Sequence, residues 1–204
     1  MNMNKSSDET TLDYYDTQAQ TYAQKDHGAE LPASFMRLVR ALPSGGHVLD
    51  LGSGDGYFSI EFEARGFDVT ATDGSAGLAA IASQHLKRPV RVERFDELTD
   101  VAAFDGVWAH ASIHHAPLDA LPDILTRIYR SLKPGGVFHM SVKTGKPAGR
   151  DKFDRFYCYP SRADIDAALA AAGDWQDTLF ETTHRSGYDG VATDWIILFA
   201  RKTA

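Results

Sequence analysis

The run VLDLGSGDGYFS at residues 48–59 limits this chain to a narrow set of folds. It begins inside HVLDL (47–51), a short apolar stretch of the kind a sheet buries on both faces. It ends inside YFSIEFEARG (57–66), which has helical character and a stop at Gly66. Between them, Gly52, Gly54 and Gly56 let the backbone turn sharply and approach a ligand that a Cβ would exclude. Glycine turns also occur in loops that bind nothing. The strand-then-helix setting is what favours a ligand here.

The same alternation continues downstream. DVTATD (68–73) reads as a second strand, 75–87 as a helix, PVRVE (89–93) as a third strand and FDGVWAH (104–110) as a fourth. Leu121, Ile124, Leu125, Ile128 and Leu132 share one helical face, with Pro122 tolerated in the first turn. KPGG then stops that helix before a fifth strand, VFHMSVK (137–143). Ser161 and Asp164 form a capping-box-like start for a helix ending at Gly173, and WQDTLFETTH and DWIILFARK are two closing strands. Upstream, Leu12, Tyr15, Ala19 and Tyr22 recur at helical spacing over 9–24, with Asp8 as a cap, and a second helix covers 31–42. Alternating strands and helices imply a parallel sheet covered on both faces, with ligands beyond the carboxyl ends of its strands.

Composition narrows the function. The 204 residues fit one domain, which we divide into an N-terminal helical lid (1–43) and an α/β core (44–204). A formal net charge of −7 argues against a general nucleic-acid or anionic-membrane binder. Cys158 is the only cysteine, so an intramolecular disulfide is excluded. The stretch MNMNKSSDETT has no apolar signal region, and no run approaches the ~18 apolar residues of a membrane helix. The expectation is a soluble cytoplasmic protein, monomeric or homodimeric.

Asp73 sharpens the glycine loop's meaning. It ends the second strand, 21 positions beyond Gly52, where a carboxylate can accept both hydroxyls of an adenosine ribose. It can equally cap the helix that follows. Dinucleotide folds carry G-x-G-x-x-G, whereas this loop reads G-x-G-x-G followed by Tyr57. Asp50 and Asp55 bring negative charge to the loop, which opposes a pyrophosphate and suits a cation. S-adenosylmethionine carries a sulfonium and an ammonium and no phosphate.

With VLDLGSGDG, Asp73, FDELTD…FDGVWAHASIHHAP and LKPGGVF in view, the chain resembles the class I S-adenosylmethionine-dependent methyltransferases over about residues 12–202. The last two stretches, with GRDKFDRFYCYPSRADIDAALAAAG, most resemble small bacterial enzymes grouped with tellurite-resistance and ubiquinone-biosynthesis methyltransferases. The resemblance implies a doubly wound, Rossmann-like α/β fold with a seven-stranded, mainly parallel sheet and an antiparallel last strand beside the fifth. It implies that Asp50 and the backbone of Gly52, Ser53 and Gly54 hold the methionine end of the cofactor, and that Asp73, followed by Gly74, binds the ribose. Phe95 and Asp96 would fall at the adenine, and Ala109 or His110 near the methionine amine. The N-terminal helix would bring Tyr15 or Tyr22 to the cofactor carboxylate, although core packing explains these tyrosines equally well.

On the acceptor side, His110, His114 and His115 cluster after the fourth strand. Histidine titrates near neutrality, so His114 or His115 is the candidate base if an acceptor must lose a proton. Packing, loop hydrogen bonds and cofactor contact are the plainer roles. No carboxylate pattern accompanies the three, so no metal site is expected. Lys143, Arg150, Lys152 and Arg155 offer charge for an anionic acceptor, and Phe153, Phe156, Tyr157 and Tyr159 walls for an aromatic one. The same aromatics can simply seal the core. The expected activity is methyl transfer to a small molecule. A catalytically idle S-adenosylmethionine sensor and an NAD-dependent oxidoreductase are the alternatives.

Overall fold

A computed structural model describes residues 6–28 and 30–204, so residues 1–5 of the leading stretch and of the expected lid lie outside the described residues. Helix α1 (Glu9–Tyr22) starts where the Asp8 carboxylate accepts from Thr11 N at 2.9 Å, and α2 (Ala33–Ala41) follows. Then β1 (His47–Leu51), α3 (Tyr57–Glu63), β2 (Asp68–Asp73), α4 (Ala76–Leu86), β3 (Arg91–Val92) and β4 (Phe104–His110) alternate. Next come α5 (Leu121–Ser131), β5 (Leu132–Thr144), the short β6 (Gly149–Arg150) and β7 (Phe156–Tyr157), α6 (Arg162–Ala172), β8 (Trp175–Ser186) and β9 (Ala192–Lys202). The Ser161–Asp164 capping box opens α6, and Ser75 caps α4 by accepting from Leu78 N.

The seven-stranded sheet runs β3-β2-β1-β4-β5-β9-β8. Pairings from β3 through β5 are parallel, and β9 lies antiparallel between β5 and β8. Strand order reverses between β1 and β4, so loops after these two strands diverge and leave a crevice. This is the doubly wound fold expected from the sequence.

Both faces are filled. Leu121, Ile124, Leu125 and Ile128 of α5 pack with Ile165 and Leu169 of α6 on one face. Phe35 and Leu38 of α2 and Phe62 of α3 cover Val48, Val69 and Trp108 on the other. Each such side chain, fully withdrawn from water, contributes about 1.5–3 kcal/mol. The Trp108 ring stacks on His139 at 3.9 Å between centroids, which holds that imidazole inside the core.

Two element boundaries differ from the sequence-based expectation. The third strand pairs only at Arg91–Val92, because Pro89 has no N–H and Val90 N donates to Ser83 Oγ rather than to a strand. The fifth begins at Leu132, not 137. Leu132 pairs with Phe104 and Val137 with Gly106, so KPGG is an irregularity within the strand rather than a break before it.

Candidate active site

The glycine turn folds back on the neighbouring strand. Gly52 N and Ser53 N both donate to the Thr72 carbonyl, at 2.9 and 2.8 Å. Gly52 sits at φ +77°, and a Cβ there would lie 2.5 Å from Ser112 Cβ. Gly54 N then donates to Asp73 Oδ2 at 2.8 Å, while Ser75 N donates to the other carboxylate oxygen at 2.9 Å. Asp73 is thus a helix-entry anchor and a crevice residue at once. Burial pushes it up to about 6, against the pull of those two N–H groups. Asp50 is pushed by burial to about 7, and Ser59 Oγ donates to it at 2.7 Å. Asp55 also loses water, yet His27 at 2.7 Å and Lys25 at 3.8 Å hold it below the usual carboxylate range.

A cavity of about 420 Å³ opens over this turn. One end is bounded by Asp73, Gly74, Glu93 and Phe95; the other by His110, His114, Lys143, Tyr157, Arg185 and Trp195. At the first end, Glu93 Oε1 and Ser53 Oγ are buried without a hydrogen-bond partner. Buried acceptors left bare in this way cost free energy that a hydroxyl- or amine-bearing ligand offsets.

Helix α1 roofs the cavity with Tyr15 and Tyr22. The Tyr15 hydroxyl lies 3.0 Å from His115 Nε2 and accepts from Arg155 Nη1 at 2.8 Å. Arg155 is in turn held by Asp151, its Nη2 donating to Oδ2 at 2.6 Å. Farther along α1, Asp16 accepts from Ser75 Oγ and Gly77 N, and Arg150 pairs with Asp8 at the helix start. The Tyr22 ring packs at a tilt against Tyr188, 4.7 Å between centroids.

The histidines divide by their partners. His115 Nδ1 donates to the Phe156 carbonyl at 2.7 Å, which leaves Nε2 to accept from Tyr15. His114 Nδ1 accepts from Lys143 N at 3.1 Å, so its proton sits on Nε2. Burial drives His114 well below its ordinary range, and His110 and His115 to about 3. All three are therefore neutral at pH 7.

Of the sequence-derived candidates, Tyr15, Tyr22, Asp50, Gly52, Ser53, Gly54, Asp73, Gly74, Phe95, His110, His114 and His115 all border the one cavity. Asp96 and Ala109 are not among its walls. The Asp96 carboxylate accepts from Ser6 Oγ at 2.6 Å, and Ala109 is fully buried in the sheet. The basic segment also differs from its sequence-based picture. Lys143 is paired with Asp189 at 2.8 Å, Arg150 with Asp8 and Arg155 with Asp151, while the Lys152 ammonium lies over the Phe153 ring. Sequence reasoning missed Glu93, Arg185, Tyr188 and Trp195 as cavity residues. The position of Glu93 at the end of the third strand, like Asp73 at the end of the second, was a usable signal. The other three reach the cavity only because β9 inserts between β5 and β8.

Known proteins share part of this sequence and its fold. Residues 49–140 match the family described as "Methyltransferase domain". A malonyl-[acyl-carrier protein] O-methyltransferase of Enterobacter lignolyticus is 36% identical over 92 residues, 44% of this chain and 36% of the relative. A ubiquinone biosynthesis O-methyltransferase of Paramagnetospirillum magneticum is 35% identical over 96 residues, 45% of this chain and 38% of the relative. The matched region therefore spans well under half the length of either relative. Among solved structures, Burkholderia thailandensis 1,6-didemethyltoxoflavin-N1-methyltransferase, bound to 1,6-didemethyltoxoflavin and S-adenosylhomocysteine, superposes with a TM-score of 0.67. It is 24% identical, over 96% of this chain and 85% of that one, a likeness of fold.

Proposed function

We propose that this chain, a class I S-adenosylmethionine-dependent methyltransferase by domain match and fold, transfers a methyl group to a small-molecule acceptor. The observation that carries this reading is the Gly54–Asp73 junction, which brings a buried carboxylate and a glycine turn to the crevice where strand order reverses.

The residues fit the cofactor. Asp50, Asp73 and Glu93 are acids whose burial resists ionisation, so a cationic ligand with donor hydroxyls relieves them where a pyrophosphate aggravates them. Asp73 and Glu93 would hold the ribose hydroxyls, the turn at Gly52–Gly54 the methionine end, and Phe95 one face of the adenine. Asp96 is assigned no adenine contact: Ser6 takes both its carboxylate and its backbone N–H, and it stands outside the cavity wall. When bound, the cofactor supplies an activated methyl: its S–CH3 bond breaks as the acceptor–CH3 bond forms, and sulfur keeps the bonding pair.

The protein's work is then alignment and exclusion of water. Helix α1, latched through Tyr15 and Asp16, acts as the lid. His115 is a positioning residue that holds Tyr15. His114 presents Nε2–H to the cavity and orients an acceptor as a hydrogen-bond donor. An acceptor that attacks through a lone pair or an existing negative charge needs no base from either.

Calorimetric titration with S-adenosylhomocysteine, alongside NAD, tests the proposal on wild type and Asp73→Ala. We expect micromolar affinity for the homocysteine compound, weakened by roughly tenfold or more in the variant. A folded wild-type protein that ignores it, or that binds NAD instead, refutes the proposal.

A further inference from the structure

Five lysine and arginine side chains line the cavity: Lys25, Arg94, Lys143, Arg155 and Arg185. Four have a carboxylate within 4 Å: Lys25 has Asp55, Arg94 has Glu9, Lys143 has Asp189 and Arg155 has Asp151. Arg185 has none among the described residues. Its guanidinium lies 4.0 Å above the centre of the Trp195 ring, and Trp195 Nε1 donates to the Arg185 carbonyl at 3.1 Å, which fixes ring and backbone together. The Trp195 ring is itself buried. Loss of water at Arg185 lowers its hold on the proton, with no carboxylate to offset that loss. An arginine held over an aromatic face with no carboxylate beside it keeps its N–H groups free for an anion.

The neighbours set the end of the cavity concerned. Trp195 pairs in register with Lys143 of β5, whose amide fixes His114. The positive charge of Arg185 also bears on His110, His114 and His139, helping to keep them neutral. Arg185 therefore stands at the acceptor end, away from Asp73 and Glu93.

We infer that Arg185 is the anion-binding residue of the acceptor subsite, and that the acceptor is a small molecule carrying a carboxylate or phosphate-type oxyanion. The inference rests on the methyltransferase proposal for what happens at that subsite, though the ion binding can be measured separately. The anionic group acts as a handle: held two-pronged by Arg185, its charge is spread over both oxygens, leaving another atom of the acceptor to face the methyl donor.

The test uses benzoate, phenyl phosphate and uncharged benzyl alcohol as probes, titrated into the full chain with and without saturating S-adenosylhomocysteine. Wild type should bind at least one of the two anions more tightly than the alcohol, the stronger anion indicating which oxyanion the site prefers. Arg185→Gln should weaken that anion by roughly tenfold or more, and Arg185→Lys, which keeps the charge but not the fork, by less. Lys152→Gln should change nothing. S-adenosylhomocysteine affinity should stay within about twofold of wild type in every variant, since the residues proposed to hold it are elsewhere. Equal anion affinity in wild type and both Arg185 variants overturns the inference. So does a folded wild type that binds neither anion, or that binds benzyl alcohol as tightly. If S-adenosylhomocysteine fails to bind while the anion still depends on Arg185, the cofactor proposal falls and the anion site stands.

Discussion

The Tyr15 hydroxyl, 3.0 Å from His115 Nε2, joins α1 to the turn after β4. It is the middle of a chain that runs from Asp151 through Arg155 and Tyr15 to His115 and the Phe156 carbonyl. Every donor in it meets one acceptor, so the roof of the cavity is registered against its wall by directional bonds rather than by packing alone.

Removing the link has a defined cost. In Tyr15→Phe, Arg155 Nη1 and His115 Nε2 lose their shared partner while the ring remains. We expect about 1–3 kcal/mol lower stability by urea denaturation, together with weaker S-adenosylhomocysteine binding. A variant with wild-type stability and affinity would show that the chain does not latch the lid.

Cofactor affinity should depend on pH through Asp73. The ionised carboxylate is the form that accepts two hydroxyls, so binding favours it over the protonated form. With the free group at about 6, the Asp73 contribution should climb as pH rises from 5 and be complete above roughly 7. Asp50, at about 7, adds in the same direction for a cationic ligand. Calorimetry across this range should show the part of the rise centred near pH 6 disappearing in Asp73→Asn. Flat affinity in wild type would remove Asp73 from the ribose site.

The two glycines of the turn should respond differently to alanine. At Gly52 the left-handed backbone and the 2.5 Å approach to Ser112 Cβ act together. Gly52→Ala should lose at least about 1–3 kcal/mol and with it the binding turn. At Gly54, φ is +60° and the nearest obstacle is Tyr22 at 3.6 Å, an ordinary contact. Gly54→Ala should cost about 1–2 kcal/mol, the price of the left-handed conformation alone. Thermal melts of the pair check the order.

The Lys143–Asp189 pair is buried on both sides, with side chains 2% and 4% exposed. Asp189→Ala strands an ammonium in the core and should cost about 3–5 kcal/mol. Replacing both, as Lys143→Met with Asp189→Leu, should recover most of that loss, because no charge is left without its partner. A double variant as unstable as the single would mean that packing, not charge, sets the cost.

Much of the fold was legible in local chemistry. HVLDL, DVTATD and FDGVWAH gave strands β1, β2 and β4 with their observed limits, since a buried parallel strand is a short apolar run wherever it occurs. Asp8, and Ser161 with Asp164, announced helix starts because capping involves residues only three apart. The turn at Gly52–Gly54 and the acid at Asp73 could be read for the same reason: each sits at the end of its own strand.

Charge in the cavity could not be read that way. Lys143, Arg150, Lys152 and Arg155 are near one another in sequence, which made them look like an anion site. Three of them are neutralised by Asp189, Asp8 and Asp151, and two of those acids lie 46 and 142 positions from their partners. Arg185 gave no local sign, because its importance comes from the carboxylates that fail to reach it. The sequence by itself determined the strands, caps and glycine turn, whose energetics are settled within a few residues. Only the tertiary structure decided which charges are paired, since ion pairing depends on distances that the insertion of β9 and the closure of α1 create.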